Sequence, residues 1–337
     1  MNKKLLAYLQ YLFFIALAVF FIWLSFRNIN AEKWNQLLAA LRHAKLWIFF
    51  PVLFLLLLSH WLRAVRWKML IEPLGYHPRI LNTFFGVMVG YFVNLGAPRL
   101  GEIVKCTVLA RYEKVPADKL VGTIVAERAF DLLCLVIVCG VTIAIEFDII
   151  GSFAWDTIAP MFQTKSGGFS YLRIIIILGG LLLVFFALRF IFRRYLHINF
   201  IHRLKVILVG ILHGLTSIRR VKNKWLFLFH TVSIWLLYLL STWLGFNVLQ
   251  ETMHLGIEEA CAVLVMGSIG MILSPGGIGA YPLFIQQTVS LYGIAADPYG
   301  LALGWLLWLG QFVIFVAFGA LSFVLLPTLN NKRHAKT

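Results

Sequence analysis

Two Gly/Pro breaks set inside long apolar runs constrain this chain more than any other feature. The first runs from Asn94 through Pro98 and Arg99 to Gly101 and Glu102. The second runs from Ser274 through Pro275, Gly276, Gly277 and Gly279 to Ala280. Proline removes a backbone donor and clashes with the preceding turn, so neither stretch reads as an ordinary membrane-crossing helix. Bilayer depth offers no water to unpaired backbone. Irregular backbone persists there only when it is buried in protein or lines a polar cavity. Interrupted apolar segments in corresponding positions of two halves point to the binding site of a transporter.

Composition sets the environment of those breaks. The chain has 337 residues, of which 61% are hydrophobic, and its mean hydropathy is +0.87. That profile excludes a soluble globular domain and indicates a polytopic helical membrane protein. The net charge of +16 does not call for nucleic acid as a partner. Its Lys and Arg residues cluster between the apolar runs, where orientation and anionic headgroups account for them. Cys106, Cys134, Cys139 and Cys261 have no CxxC or metal spacing and read as small apolar packers. The histidines form no paired ligand motif, so neither a metal nor another cofactor is expected. The first apolar run, Leu5 to Phe26, lacks a small-residue cleavage site and reads as a retained anchor.

Loop charge organises the chain into one all-α transmembrane domain over 1–337. It comprises about six full spans and two re-entrant helical hairpins. The spans are expected at 5–26, 47–61, 121–145, 172–188, 225–249 and 299–326. The hairpins occupy 80–111 and 260–292, and short surface helices are expected within 27–46 and 204–218. Segment 189–224 holds nine Lys/Arg and no acid, whereas 146–170 carries Glu146, Asp148 and Asp156 against Lys165. Placing the former inside and the latter outside gives both halves the same elements in opposite orientation. An inverted-topology repeat follows, about 5–145 and 172–326, with 327–337 a short basic cytoplasmic tail and both termini cytoplasmic. Counting every hairpin arm as a full span gives ten spans instead.

An ionised side chain at mid-bilayer costs about 2.5–3.5 kcal/mol on insertion scales, so such residues are paired or face water. Glu127 and Asp131 are four apart and share a helix face, while Arg128 lies three before Asp131 and can reach it. Arg99 and Glu102 flank the first break in the same way. In one reading, Arg99 and Arg128 hold the phosphate of an anionic or zwitterionic headgroup, with the carboxylates and Asn94 around it. In the other, the charges lock hairpin to bundle; the break beside Arg99 favours the first. Pro275, Gly276, Gly277 and Gly279 either let backbone approach a ligand or permit tight packing. Arg63 and Arg66, beside Trp67, read as interfacial anchors or as residues that gather headgroups.

Arg63-Ala-Val-Arg66-Trp67, Asn94 with Pro98 to Glu102, Glu127-Arg128 with Asp131, and Pro275 to Gly279 occur in that order. This set resembles the transmembrane region of bacterial lysylphosphatidylglycerol synthetase/flippases and of stand-alone proteins sharing it. The resemblance covers nearly the whole chain. It implies a flippase-like membrane domain with two re-entrant elements in the bacterial inner (cytoplasmic) membrane, and a phospholipid or lipid-linked substrate. A homo-oligomer is left open. Nothing resembling the soluble aminoacyl-transferase domain follows residue 326, so lysyl transfer is not expected. Ala280-Tyr281-Pro282 stand where members often carry an acid. The expected function is movement of a lipid or lipid-linked headgroup between leaflets. The alternatives are a membrane-embedded enzyme acting on lipid phosphates and a non-transporting scaffold for a lipid-modifying partner.

The charge asymmetry yields a direct expectation. In a background lacking native cysteines, Ser166→Cys is labelled in intact cells by an impermeant thiol reagent and Asn223→Cys is not. Labelling at both positions, or at the second alone, contradicts the expected orientation.

Overall fold

Apolar residues on every face of a run make a helix that is stable only in lipid or protein, and this chain is built from such runs. The protein is described by a computed structural model covering residues 3–97, 100–149, 219 and 221–334. Pro98 and Arg99 lie outside the described residues, as does 150–218 with its expected fourth span and second surface helix. Among the described residues every regular element is helical. Leu46–Leu74, Ala117–Ile145, Lys224–Phe246 and Ala296–Asn330 are long and apolar enough to cross a membrane. Leu12–Phe26 and Ala31–His43 together form a further candidate bent by 97°. The protein is a polytopic all-α membrane protein.

The bend separates α1 (Lys3–Phe26) from α2 (Ala31–His43). Asn30 caps α2 by accepting the Lys33 N–H at 2.8 Å. Leu37 and Ala40 are buried while Glu32 and Trp34 are exposed, the pattern of a helix with one face on the protein. The next helix, α3 (Phe49–Ile71), does not stop at Trp61, where the sequence reading ends its second span. It continues through Arg63 and Arg66, which share a buried face with Ser59, His60 and Trp67. After the turn at Gly75 come α4 (Ile80–Gly96), α5 (Leu100–Glu113) and α6 (Ala117–Ile145). Beyond residue 218 the chain forms α7 (Lys224–Phe246), α8 (Ile257–Leu273), α9 (Ala280–Ser290) and α10 (Leu301–His334).

The helices α4 and α5 form a hairpin around the first break. Their 17 and 14 residues reach about 25 and 21 Å at ~1.5 Å per residue, short of a ~30 Å hydrocarbon core. Asn82, at the start of α4, donates to the Glu113 carboxylate at the end of α5, so the arms return to one end. Near the tip a Cβ on Gly101 would sit 1.9 Å from the Gly90 carbonyl oxygen, so only glycine lets the arms touch there. The pair α8 and α9 folds back likewise around the second break, where Gly276, Gly277 and Gly279 take φ of +56°, +74° and +73°. That backbone is open to glycine at no steric cost.

The two hairpins run in opposite senses along α10. The base of the first lies at the C-terminal part of α10, where Asn82 and Asn330 exchange amide hydrogen bonds of 3.0 Å. The base of the second lies at the α10 N-terminus, where Gln286 donates to Asp297. Glu146, just past α6, is at that second end. Burial, then proximity to Glu259 and Glu258, raises its carboxyl pKa above the usual range. The tips meet: a Cβ on Gly276 would lie 2.7 Å from Leu95 Cδ2. Trp308 of α10 fastens the contact by donating to the Gly276 carbonyl at 2.9 Å.

Adding a methyl at Gly101 must force the first hairpin apart, an overpacking cost of about 1–3 kcal/mol. Gly101→Ala is expected to lower the thermal stability of purified protein, whereas Gly140→Ala, with open space around it, changes it little. Equal stability of Gly101→Ala and the parent would show that the arms do not pack so closely.

Candidate functional site

Spacing on two helices builds the centre of the site. Arg63 and Arg66 lie three apart on α3, and Glu127 and Asp131 lie four apart on α6, so each pair shares a face. These faces meet. Arg63 Nη1 donates to Glu127 Oε1 at 3.0 Å and to Asp131 Oδ2 at 2.6 Å. Arg66 Nη2 donates to Asp131 Oδ1 at 2.6 Å. Lys105, projecting from α5, donates to Glu127 Oε2 at 2.8 Å and stands 3.9 Å over the centre of the Trp67 ring. Trp67 is itself held by donating to Thr123 Oγ1 at 2.9 Å. The first hairpin is thereby bonded to α3 and α6 through buried charge, and both Glu127 oxygens are occupied.

Arg128 points elsewhere. One residue past Glu127 it is turned about 100° round α6, and it pairs with Glu102 of α5 at 2.9 Å, not with Asp131 as the spacing predicts. The Arg128 and Glu102 side chains remain 47% and 34% exposed, against 3% for Glu127 and 0% for Arg66. The cluster thus has a sealed half and an accessible half. Beside the accessible half is a narrow cleft of about 10 Å³, room for one water, bordered by Tyr91, Asn94, Gly101, Glu102, Lys105 and Arg128.

Arg128 and Tyr91 also border a much larger cavity of about 660 Å³ between the two hairpins and α3, α6, α7 and α10. Its polar part includes His60, Arg63, Tyr91, Arg128, Asp131, Tyr238 and Gln311. Its apolar part includes Leu132, Leu135, Leu264 and Ile272. Tyr238 accepts from Arg63 Nη2 at 3.3 Å. His60 is 3% exposed and packed by the rings of Tyr91, Phe315 and Tyr238 at 5.0, 5.4 and 6.3 Å. Neither of its ring nitrogens has a hydrogen-bond partner, nor does the cavity-lining Trp235 Nε1.

The residues singled out in sequence take distinct places. Glu127 and Asp131 share a face as expected. Arg63 and Arg66 lie in the interior among those carboxylates, away from the boundary at which the sequence reading sets them. Asn94 accepts the Gly101 N–H at 2.9 Å and so pins the first break. Pro275 is buried, and Gly276, Gly277 and Gly279 pack against Leu95, Met271 and α1 in turn. The cavity wall takes Met271 and Tyr281 from either side of that break and none of the four residues themselves. Arg99 is outside the described residues. Lys105, His60, Tyr91 and Tyr238 were not singled out; the only local signal was for Lys105, a lone cation in an otherwise apolar stretch of α5.

Comparison with known proteins adds three findings. Residues 11–303 match the family model described as the lysylphosphatidylglycerol synthase TM region. A UPF0104 membrane protein, MJ1595 of Methanocaldococcus jannaschii, is 34% identical over 71 residues, 20% of this chain and 21% of that protein. No solved structure matches the chain.

Removing one partner of a buried ion pair strands the other, at a cost of about 3–5 kcal/mol. Glu127→Gln is therefore expected to destabilise purified protein severely, and adding Lys105→Met to recover part of the loss. Glu102→Gln, at a half-exposed pair, costs at most about 1 kcal/mol. Denaturation of the variants in detergent checks this ranking; equal effects of Glu127→Gln and Glu102→Gln contradict it.

Proposed function

Because the chain belongs to the lysylphosphatidylglycerol synthase transmembrane-region family, we propose that it moves a lipid or lipid-linked headgroup between the leaflets of the bacterial cytoplasmic membrane. The observation that carries this reading is the cavity in which a charged wall with Arg128 adjoins an apolar one. A lipid presents the same two surfaces: a phosphate that needs charge-assisted hydrogen bonds and chains that need apolar contact.

In this reading Arg128 receives the phosphate, exchanging its bond to Glu102 for one to the substrate. Arg99 and Glu102, beside the first break, form the approach. Arg63, Arg66, Glu127, Asp131 and Lys105 hold α3, α5 and α6 together so that Arg128 stays in place. Asn94 and the residues 275–279 shape the two tips. The halves 5–145 and 172–326 act as an inverted repeat with both termini cytoplasmic, and rocking of one against the other about the touching tips opens the cavity to each leaflet in turn.

Arg128→Lys keeps the charge and loses the planar fork. In liposomes holding purified protein and labelled phospholipid, the variant is expected to move lipid more than about tenfold slower, ~1.4 kcal/mol in barrier, at little cost in stability. Parallel loss of stability and transport would assign Arg128 to the fold. Label that crosses with altered mass would indicate an enzyme, and label that stays in its leaflet a scaffold.

A further inference from the structure

We infer that α2 is a docking surface for the net negative headgroups of the leaflet it lies on, and that Arg42 and Lys45 read their charge. The surface is outside the cavity, and its role holds whether or not lipid crosses there. Three observations lead to it: the setting of α2, the division of its faces, and cations at the end of the molecule where orientation does not call for them.

The helix is held in a fixed attitude. It turns 97° away from the apolar run of α1, so beside a helix that crosses the bilayer it lies along the surface. Leu37 and Ala40 are buried against the protein. Near the start of α2, Lys33 pairs with Asp297 at 3.6 Å. Just past its end, the Lys45 N–H donates to the Val248 carbonyl at 2.8 Å. Tied at both ends, α2 has a set rotation about its own axis.

That rotation sorts the remaining side chains into two flanks. Trp34, Leu38 and Arg42 recur every four residues and make one exposed ridge. The chain continues it with exposed Lys45, Leu46, Trp47 and Phe50. Glu32, Gln36 and His43, also exposed, project from the other flank. One flank is therefore apolar, aromatic and basic, and the other is polar with the acid. Trp rings settle at headgroup depth, and long basic side chains lay their stems on apolar surface while the charge reaches the phosphates.

The charge on that flank is uncompensated. Segment 27–46 carries Arg27, Lys33, Arg42 and Lys45 against Glu32. Lys33 has Asp297, whereas among the described residues neither Arg42 nor Lys45 pairs with a carboxylate. Basic residues that set orientation gather on one side of a membrane protein, and Arg79, Arg111 and Lys119 stand at the base of the first hairpin. The Lys33–Asp297 pair puts α2 at the opposite end, beside the base of the second. Orientation does not account for cations there. Attraction to anionic headgroups does, and it falls away for a headgroup whose own ammonium balances its phosphate.

The test uses purified full-length protein with its four native cysteines replaced, one copy per nanodisc, and Asn35→Cys carrying a small fluorophore beside the Trp34–Arg42 ridge. The discs hold phosphatidylcholine and an anionic lipid, phosphatidylglycerol or phosphatidylserine, in equal amounts. Bromines placed near the headgroup of one lipid or the other quench the fluorophore on contact. Quenching by either brominated anionic lipid is expected to exceed that by brominated phosphatidylcholine about threefold or more, since each Lys or Arg near the surface adds to the attraction. Arg42→Gln with Lys45→Gln is expected to bring the ratio close to one, and Glu32→Gln, on the other flank, to leave the excess in place. Equal quenching by anionic and zwitterionic lipid in the parent overturns the inference, as does an excess that survives the double substitution. A preference confined to one of the two anionic lipids shows recognition of a particular headgroup and contradicts the reading of charge. Quenching by neither lipid shows that protein covers the ridge and overturns it as well.

Discussion

Glu127 and Asp131 hold three buried cations in the interior of the protein in place of solvating water, and the arrangement of the helices depends on that exchange. Asp131 takes one bond from each of Arg63 and Arg66, and Glu127 takes Arg63 and Lys105. The bonds join α3, α5 and α6, which also share an apolar cluster containing Trp67, Ile71, Leu109, Leu120 and Ile124. Apolar side chains at these positions would pack without desolvation cost. What the charged set adds is orientation: each bond is short and directional, and together they fix how far α6 is rotated. That rotation leaves Arg128, one residue on, facing the cavity, with Glu102 as its ion-pair partner among the described residues.

The glycines solve a different problem with the same result. The turns of the two helical hairpins end inside the protein and carry backbone groups that need partners. In the first, Asn94 accepts from Gly101; in the second, Trp308 donates to Gly276. With these bonds made, Leu95 and Gly276 come into contact, and the cavity lies beside the place where the tips meet. In the proposed rocking, the charged side would hold geometry while the thin, glycine-rich contact yields.

Much of this was legible in the sequence because it depends on local chemistry. Pro98 and the run Pro275 to Gly279 announce breaks whatever surrounds them, and four-residue spacing puts Glu127 and Asp131 on one face of any helix. The partners were not legible, because they are tertiary. Arg63-Ala-Val-Arg66-Trp67 has the composition of a headgroup boundary, and only the carboxylates 64 and 68 positions downstream of Arg63 draw it inward. The same competition misdirected Arg128: Asp131 is within reach on its own helix, but the two arginines of α3 occupy it, and Glu102 is left. His60 carries no pattern at all; its place is set by the three rings that surround it.

The central claim is that the two hairpin tips meet and that lipid passes beside them as they part. Crosslinking across that contact addresses it most directly. With the four native cysteines replaced, Leu95→Cys puts one thiol at the contact between Leu95 and Gly276, and Ile278→Cys puts the other two residues beyond Gly276. A short, reducible bifunctional reagent is expected to join them, to stop lipid movement in liposomes, and to release it again on reduction. Failure of the pair to crosslink under any condition, or crosslinked protein that moves lipid at the original rate, would contradict the account.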